Sequence, residues 1–204
     1  MLRKKIEQKN RAAQALNNRI KKIIEEEIRL AKKKAEEEER RQRELAARKG
    51  IIRKAPENLE LTPEEIELSR NFSNNRGKLP WPVAKGYIIS PFGRHEHPAL
   101  KGVMVENNGV DIKTENGADA RALFGGTVVS VFYLPTTQNC VIIKHGEYFS
   151  VYSNIETVSV QPNQLVGVKH SLGKLYTEDD VTKVHLEIWK GKEKMNPEWW
   201  LAGK

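Results

Sequence analysis

Apolar residues in the first part of the chain fall at Leu2, Ile6, Ala13, Leu16, Ile20, Ile23 and Leu30, in alternating steps of three and four interrupted at Lys9 and Glu27. That spacing is the a/d seam of a coiled coil. Neither Pro nor Gly occurs before Gly50, so one long helix is predicted. Opposite charges four apart, Glu25 with Arg29, Glu36 with Arg40 and Glu37 with Arg41, would each support it by a few tenths of a kcal/mol. From Lys32 to Arg43 the seam fades into a charged rod. A single amphipathic helix of this length cannot bury its stripe alone. It calls for a partner helix, from another copy, another protein or sequence upstream.

Gly50 and Pro56 punctuate the pattern, and Thr62-Pro63-Glu64-Glu65 then reads as a helix start. Thr62 is the N-cap, Pro63 the first helical residue and Glu65 the reciprocal member of a capping box. The short helix should run from Pro63 to about Phe72, closed by the Asn74-Asn75-Arg76-Gly77 turn signal. Beyond Leu79 the pattern changes to short β-type runs broken by Gly, Pro and Asn: 87–89, 109–112, 120–123, 126–133, 140–145, 148–154, 157–160 and 184–189. Such runs predict an antiparallel sheet assembly. The chain therefore divides into a helix over 1–54, a linker with a short helix over 55–78, and a β domain over 79–204, an α+β architecture overall.

Charge sharpens this division. Residues 1–54 hold 19 Lys or Arg against 9 Asp or Glu, leaving 16 against 18 for the rest, so the formal +8 belongs to the helix. A basic extension suits nucleic acid, an anionic membrane surface or an acidic partner. Interspersed acidic residues favour a simple solvated face, and the absence of interleaved aromatics argues against nucleic acid. Cys140 is the single cysteine, which excludes an intrachain disulfide, and its place in Cys140-Val141-Ile142-Ile143 suits a small buried hydrophobe. No run reaches the roughly 18 to 20 apolar residues that cross a bilayer, and the start lacks the apolar core of a secretory signal.

Within the β domain, five segments in order carry a resemblance: Leu79-Pro80-Trp81-Pro82-Val83, Gly86 through Arg94 with its Ser90-Pro91-Phe92-Gly93, Gly109-Val110-Asp111-Ile112, Gly125-Gly126-Thr127-Val128-Val129, and His185-Leu186-Glu187-Ile188-Trp189. Together they resemble the lysostaphin-like (LytM-type) zinc metallopeptidase domain over residues 79–202, with Asn196-Pro197 matching its usual ending. The implied fold is a mainly antiparallel, duplicated-hybrid-motif-like β domain. In active members, a His four residues before an Asp and the second His of a His-x-His pair ligate zinc. The first His of that pair and a His in a Tyr-x-His-Leu-like segment assist the water and the oxyanion.

Carried onto this chain, the ligand positions are Asn107, Asp111 and His185. The catalytic positions are Lys183 and, in Tyr152-Ser153-Asn154-Ile155, Asn154. Three of the five have changed, and each change removes a capability. Asn107 offers a neutral amide oxygen, a poor zinc ligand beside imidazole. Asn154 cannot exchange a proton near neutral pH, and Lys183 brings a cation to the metal position. Without the family frame, Asp111 reads as a turn residue and His185 as a satisfied histidine on a sheet face. His95 and His97 form a metal-like pair by themselves, and in this family a His-Pro after the Phe-Gly turn lies outside the zinc shell.

The combination of a dismantled zinc site with a preceding coiled coil resembles murein hydrolase activators of the EnvC type. The resemblance implies a non-enzymatic envelope protein, periplasmic or otherwise extracytoplasmic, with no cofactor. It would engage an N-acetylmuramoyl-L-alanine amidase through the former groove, at Asn107, Asp111, Tyr152, Asn154, Lys183 and His185. The coiled coil would be tied to a membrane ABC-transporter-like division complex, and residues 57–78 could lie across the groove and block it. The rival readings are a zinc endopeptidase built on Asp111 and His185, and a peptidoglycan binder with no enzyme partner.

Overall fold

The computed structural model describes residues 2–49, 61–96 and 104–203. Residues 55–60 of the expected linker, His97, and the side chains of Leu2, Ile6 and Lys9 lie outside that description.

Helix α1 spans Leu2–Arg48 without a break, about 70 Å at 1.5 Å per residue. Leu16, Ile20 and Ile24, four apart on one side, are buried against Cys140, Ile142, Phe149, Val151 and Trp189 of the β domain. The partner of this part of the stripe is therefore the chain's own sheet. Periodicity specifies which side of a helix is apolar; it does not specify what covers it. The ion pairs also differ from the sequence expectation, because residues three and four apart are both neighbours on a helix surface. Arg29 bonds Glu26 and Arg41 bonds Glu38, three residues away, while Glu25 reaches across to Lys192 at 3.3 Å.

Thirteen strands follow among the described residues: β1 (Tyr87–Ser90), β2 (Gly93–Glu96), β3 (Met104–Asn107), β4 (Val110–Thr114), β5 (Asp119–Arg121), β6 (Gly126–Leu134), β7 (Gln138–His145), β8 (Tyr148–Val158), β9 (Leu165–Val166), β10 (Ser171–Leu175), β11 (Thr177–Glu178), β12 (Val181–Lys190) and β13 (Glu193–Met195). Eleven form one antiparallel sheet whose main path runs β1-β4-β12-β8-β7-β6-β9, and β2 with β3 makes a separate hairpin. The runs expected at 148–154 and 157–160 are largely a single strand, β8, that turns through the left-handed Asn154 (φ +71°). Asn tolerates that conformation better than most residues.

Alternation along the strands gives the sheet two apolar faces. One carries Val110, Ile112, Val141, Ile143, Tyr152, Val184, Leu186 and Ile188 into the main core. The other carries Cys140, Ile142, Phe149, Val151 and Trp189 beneath α1.

Helix α2 (Pro63–Asn74) closes the main-core side. Its Thr62–Glu65 capping box forms as expected, and Lys144 Nζ on β7 holds Glu65 Oε1 at 2.6 Å. Phe72 packs within 5.0 Å of the rings of His145, Tyr148 and Trp200. The β7–β8 turn fits under it because Gly146 has φ +74° and its missing side chain leaves room for Ser69. Residues 65–72 are thus anchored at the β7–β8 turn, at the Lys190 end of β12 and away from Asp111 and His185. That corrects the expectation that they block the former groove: the aromatic anchor Phe72 belongs to the main core.

Candidate functional site

The site is built where β4, β12 and β8 lie side by side. Cross-strand register places His185 beside Asp111 on one neighbour and beside Ser153 on the other. Alternation puts Lys183, His185, Glu187 and Trp189 on one face of β12, the face that α1 covers at its Trp189 end. Gly109 lets the strands approach, since a Cβ there would sit 2.1 Å from Leu186 O.

These side chains form a continuous chain of contacts. Lys183 Nζ donates to Asp111 Oδ2 at 2.6 Å. His185 Nδ1 lies 2.7 Å from Asp111 Oδ1, and its Nε2 lies 3.2 Å from Glu187 Oε1. Trp189 Nε1 then donates to Glu187 Oε2 at 2.7 Å. Burial disfavours charge on both Asp111 and His185. For Asp111, the hydrogen bond and charge of His185, followed by those of Lys183, outweigh it and hold the carboxyl well below its usual range. For His185, the bonds and charges of Asp111 and Glu187 outweigh it and push the ring up to about 9. Both ring nitrogens are aimed at carboxylates, an arrangement that favours the imidazolium form, in which neither nitrogen has a lone pair to offer.

The remaining positions are also engaged. Asn107 Nδ2 donates to Ser90 O and Oγ, at 3.3 and 3.0 Å, while its Oδ1 accepts from Gly109 N. Ser90 Oγ in turn meets His95 Nε2 at 3.3 Å. Asn154 Nδ2 donates to Lys183 O at 2.8 Å and to Tyr176 O at 3.1 Å, a staple between β8 and β12. Tyr152 does not face this site: it is fully buried on the main-core side, and its hydroxyl accepts from Leu123 N. Its assignment to the groove is corrected, because the register that points Ser153 at His185 turns its neighbour the other way. Glu187, the carboxylate that completes the chain, has no signal in the sequence beyond its place in His185-Leu186-Glu187-Ile188-Trp189.

A zinc centre needs deprotonated donors with free lone pairs, typically three from the protein. Here the two residual donors are Asp111, whose Oδ2 is taken by an ammonium, and His185, whose nitrogens both face carboxylates. Asn107 is bonded within its own loop. The residues present do not fit the metal. Among the described residues, no group of three His, Cys, Asp or Glu is arranged to hold one.

Residues 105–197 match the model of Peptidase family M23. That segment is just under half of the chain, and its fold is that of the M23 type. The domain is 34% identical over 98 residues to stage II sporulation protein Q of Bacillus subtilis (strain 168), a match that covers 45% of this chain and 35% of the relative. The chain thus spans about a third of that protein's length. Among solved structures, the SpoIIQ–SpoIIIAH pore-forming complex aligns with a TM-score of 0.52 at 25% identity, over 62% of this chain and 92% of that one. Helicobacter pylori Csd3 aligns with a TM-score of 0.52 at 22% identity, over 62% and 35%. A zinc-containing peptidase from Vibrio cholerae aligns with a TM-score of 0.51 at 24% identity, over 60% and 40%. The last two likenesses concern the M23-type fold alone. No described helix is long and apolar enough to cross a membrane.

Proposed function

We propose that the chain is a non-catalytic module of the cell envelope that acts by holding a protein partner on the former metallopeptidase groove. One observation carries this reading: the Lys183 ammonium bonds Asp111 where a metal would bind, beside a His185 whose two nitrogens both face carboxylates. Neither a Lewis acid nor a base that takes up a proton near neutral pH is provided by those groups. What remains is a rigid, charged sheet face.

The partner best suited to the order of a long helix before a dismantled M23-type domain is an N-acetylmuramoyl-L-alanine amidase, with α1 linking the domain to a membrane ABC-transporter-like complex. Such an activator works by population shift: it binds the amidase's open state more tightly than its closed state. A second reading is favoured by the likeness to stage II sporulation protein Q, which is seen with SpoIIIAH in a pore-forming complex. In that case the domain would scaffold an assembly without an amidase. Release of dye from labelled sacculi by a purified amidase, with and without this protein, separates the two. Stimulation supports the activator; capture of a SpoIIIAH-like partner without stimulation supports the scaffold.

A further inference from the structure

The former groove has an open end that its own charges leave unbalanced. Register aligns Tyr87 on β1 with Lys113 on β4, and Lys113 with Lys183 on β12, so the three stand in one row across three strands. Residues opposite one another in antiparallel pairs share a face, and this is the face of Asp111 and His185, since each lies two positions from its neighbour in the row. The row is at the opposite end of β12 from Trp189, where α1 packs. Tyr87 is 56% exposed and Ile89, on the same edge strand, 38%. The Lys183 side chain remains 32% exposed although it bonds Asp111.

Two lysines directly opposite one another on neighbouring strands repel, and such pairs are destabilising. Asp111 offsets one of them. Lys113 has no carboxylate partner among the described residues. Glu115, two positions further on, is already bonded to Lys85 at 3.2 Å. A surface with two ammonium groups, one internal anion, and a flanking phenol ring with an aliphatic neighbour is complementary to a carboxylate carried beside an apolar side chain.

We propose that Lys113 and Lys183, flanked by Tyr87 and Ile89, form the docking point for an acidic segment of the protein partner, which places a carboxylate between the two ammonium groups and an apolar side chain against the ring. The inference rests on the partner-holding reading above and names the chemistry of the contact. Burying a carboxylate there relieves the lysine repulsion, so binding and local strain relief act in the same direction. Asn107 and Asn154, whose amide donors are spent on the chain itself, contribute nothing to it.

The test titrates the full chain with the blocked peptide acetyl-Glu-Glu-Phe-Glu-Glu-amide, its all-Gln counterpart and inorganic phosphate, following backbone amide resonances. The Glu peptide should move Tyr87, Lys113 and Lys183, and the Gln peptide should not. Lys113→Gln should weaken the effect by roughly three- to fivefold, the scale of one exposed ion pair, and Lys113→Arg should preserve it. Equal response to the Gln peptide, an unchanged response in Lys113→Gln, or phosphate binding as tightly as the Glu peptide would overturn the proposal. Amidase capture is measured in parallel. If Lys113→Gln captures amidase as well as the parent chain, the docking point is wrong and the function stands; if the parent captures none, the amidase reading fails and the peptide result is unaffected.

Discussion

Lys183 Nζ lies 2.6 Å from Asp111 Oδ2, so the carboxylate a metal would need is already neutralised by an ammonium group of the same chain. The sheet supplies this cation by register alone: Lys183 stands two positions from His185, which is paired with Asp111. The ammonium thereby compensates a carboxylate that is mostly buried. An unpaired one would cost several kcal/mol.

Removing that cation should therefore be felt as lost stability. Lys183→Met is expected to destabilise by about 1–3 kcal/mol, between the values of exposed and buried pairs. Asp111→Asn in the same background should recover part of the loss. Urea unfolding of the two single variants and the double variant measures the coupling, and strict additivity would show that the pair is incidental.

The missing donors can be put back. The double variant Asn107→His with Lys183→His restores a His four residues before Asp111 and a His-x-His pair ending at His185. It is expected to bind zinc stoichiometrically by calorimetry, whereas the parent chain does not at the same concentration. Asn154 still lacks a titrating group, so no peptide hydrolysis should accompany the metal.

His145 gives the fold an acid-sensitive point. It is fully buried against Phe72, and burial pulls its pKa from 6.5 down to about 4, despite the opposing hydrogen bond to Gly125 O. Because the folded value is depressed, this contribution is complete above pH 6.5 and is lost as pH falls toward 4. The loss amounts to about 3 kcal/mol at roughly 1.4 kcal/mol per unit. Urea midpoints at pH 7 and 4.5 should differ more for the parent than for His145→Gln, which has no ring to protonate.

Cys140 reports whether α1 covers the sheet. The thiol is buried in the cluster with Leu16, Ile20 and Ile24, and burial pushes its pKa up to about 12. Ellman's reagent should leave it unreacted in the folded chain. Ile20→Asp, which places a charge in that interface, should release it at a rate at least about tenfold higher if α1 detaches at a cost near the 1.5–3 kcal/mol of one buried side chain. Equal rates would mean that α1 does not protect this face in solution.

Local rules made much of the fold readable. The Thr62–Glu65 capping box, the unbroken first helix and the runs that became β4, β6, β7 and β12 all follow from short-range chemistry. The β2–β3 hairpin did not announce itself, because Gly93-Arg94-His95-Glu96 has no alternating apolar face. The cover on α1 was illegible because a stripe at helical spacing suits a helix or a sheet equally. At the site, alternation along 183, 185, 187 and 189 was visible in principle. The meeting of Lys183 with Asp111 across seventy-two positions required the register of β4 on β12, and Lys113 and Tyr87 entered the picture only with it.

The most direct test of a non-catalytic groove is the release of soluble muropeptides from purified sacculi by the full chain alone, with zinc supplied and no amidase present. The expected result is no release above buffer. Release that a chelator stops and that His185→Ala abolishes would contradict it.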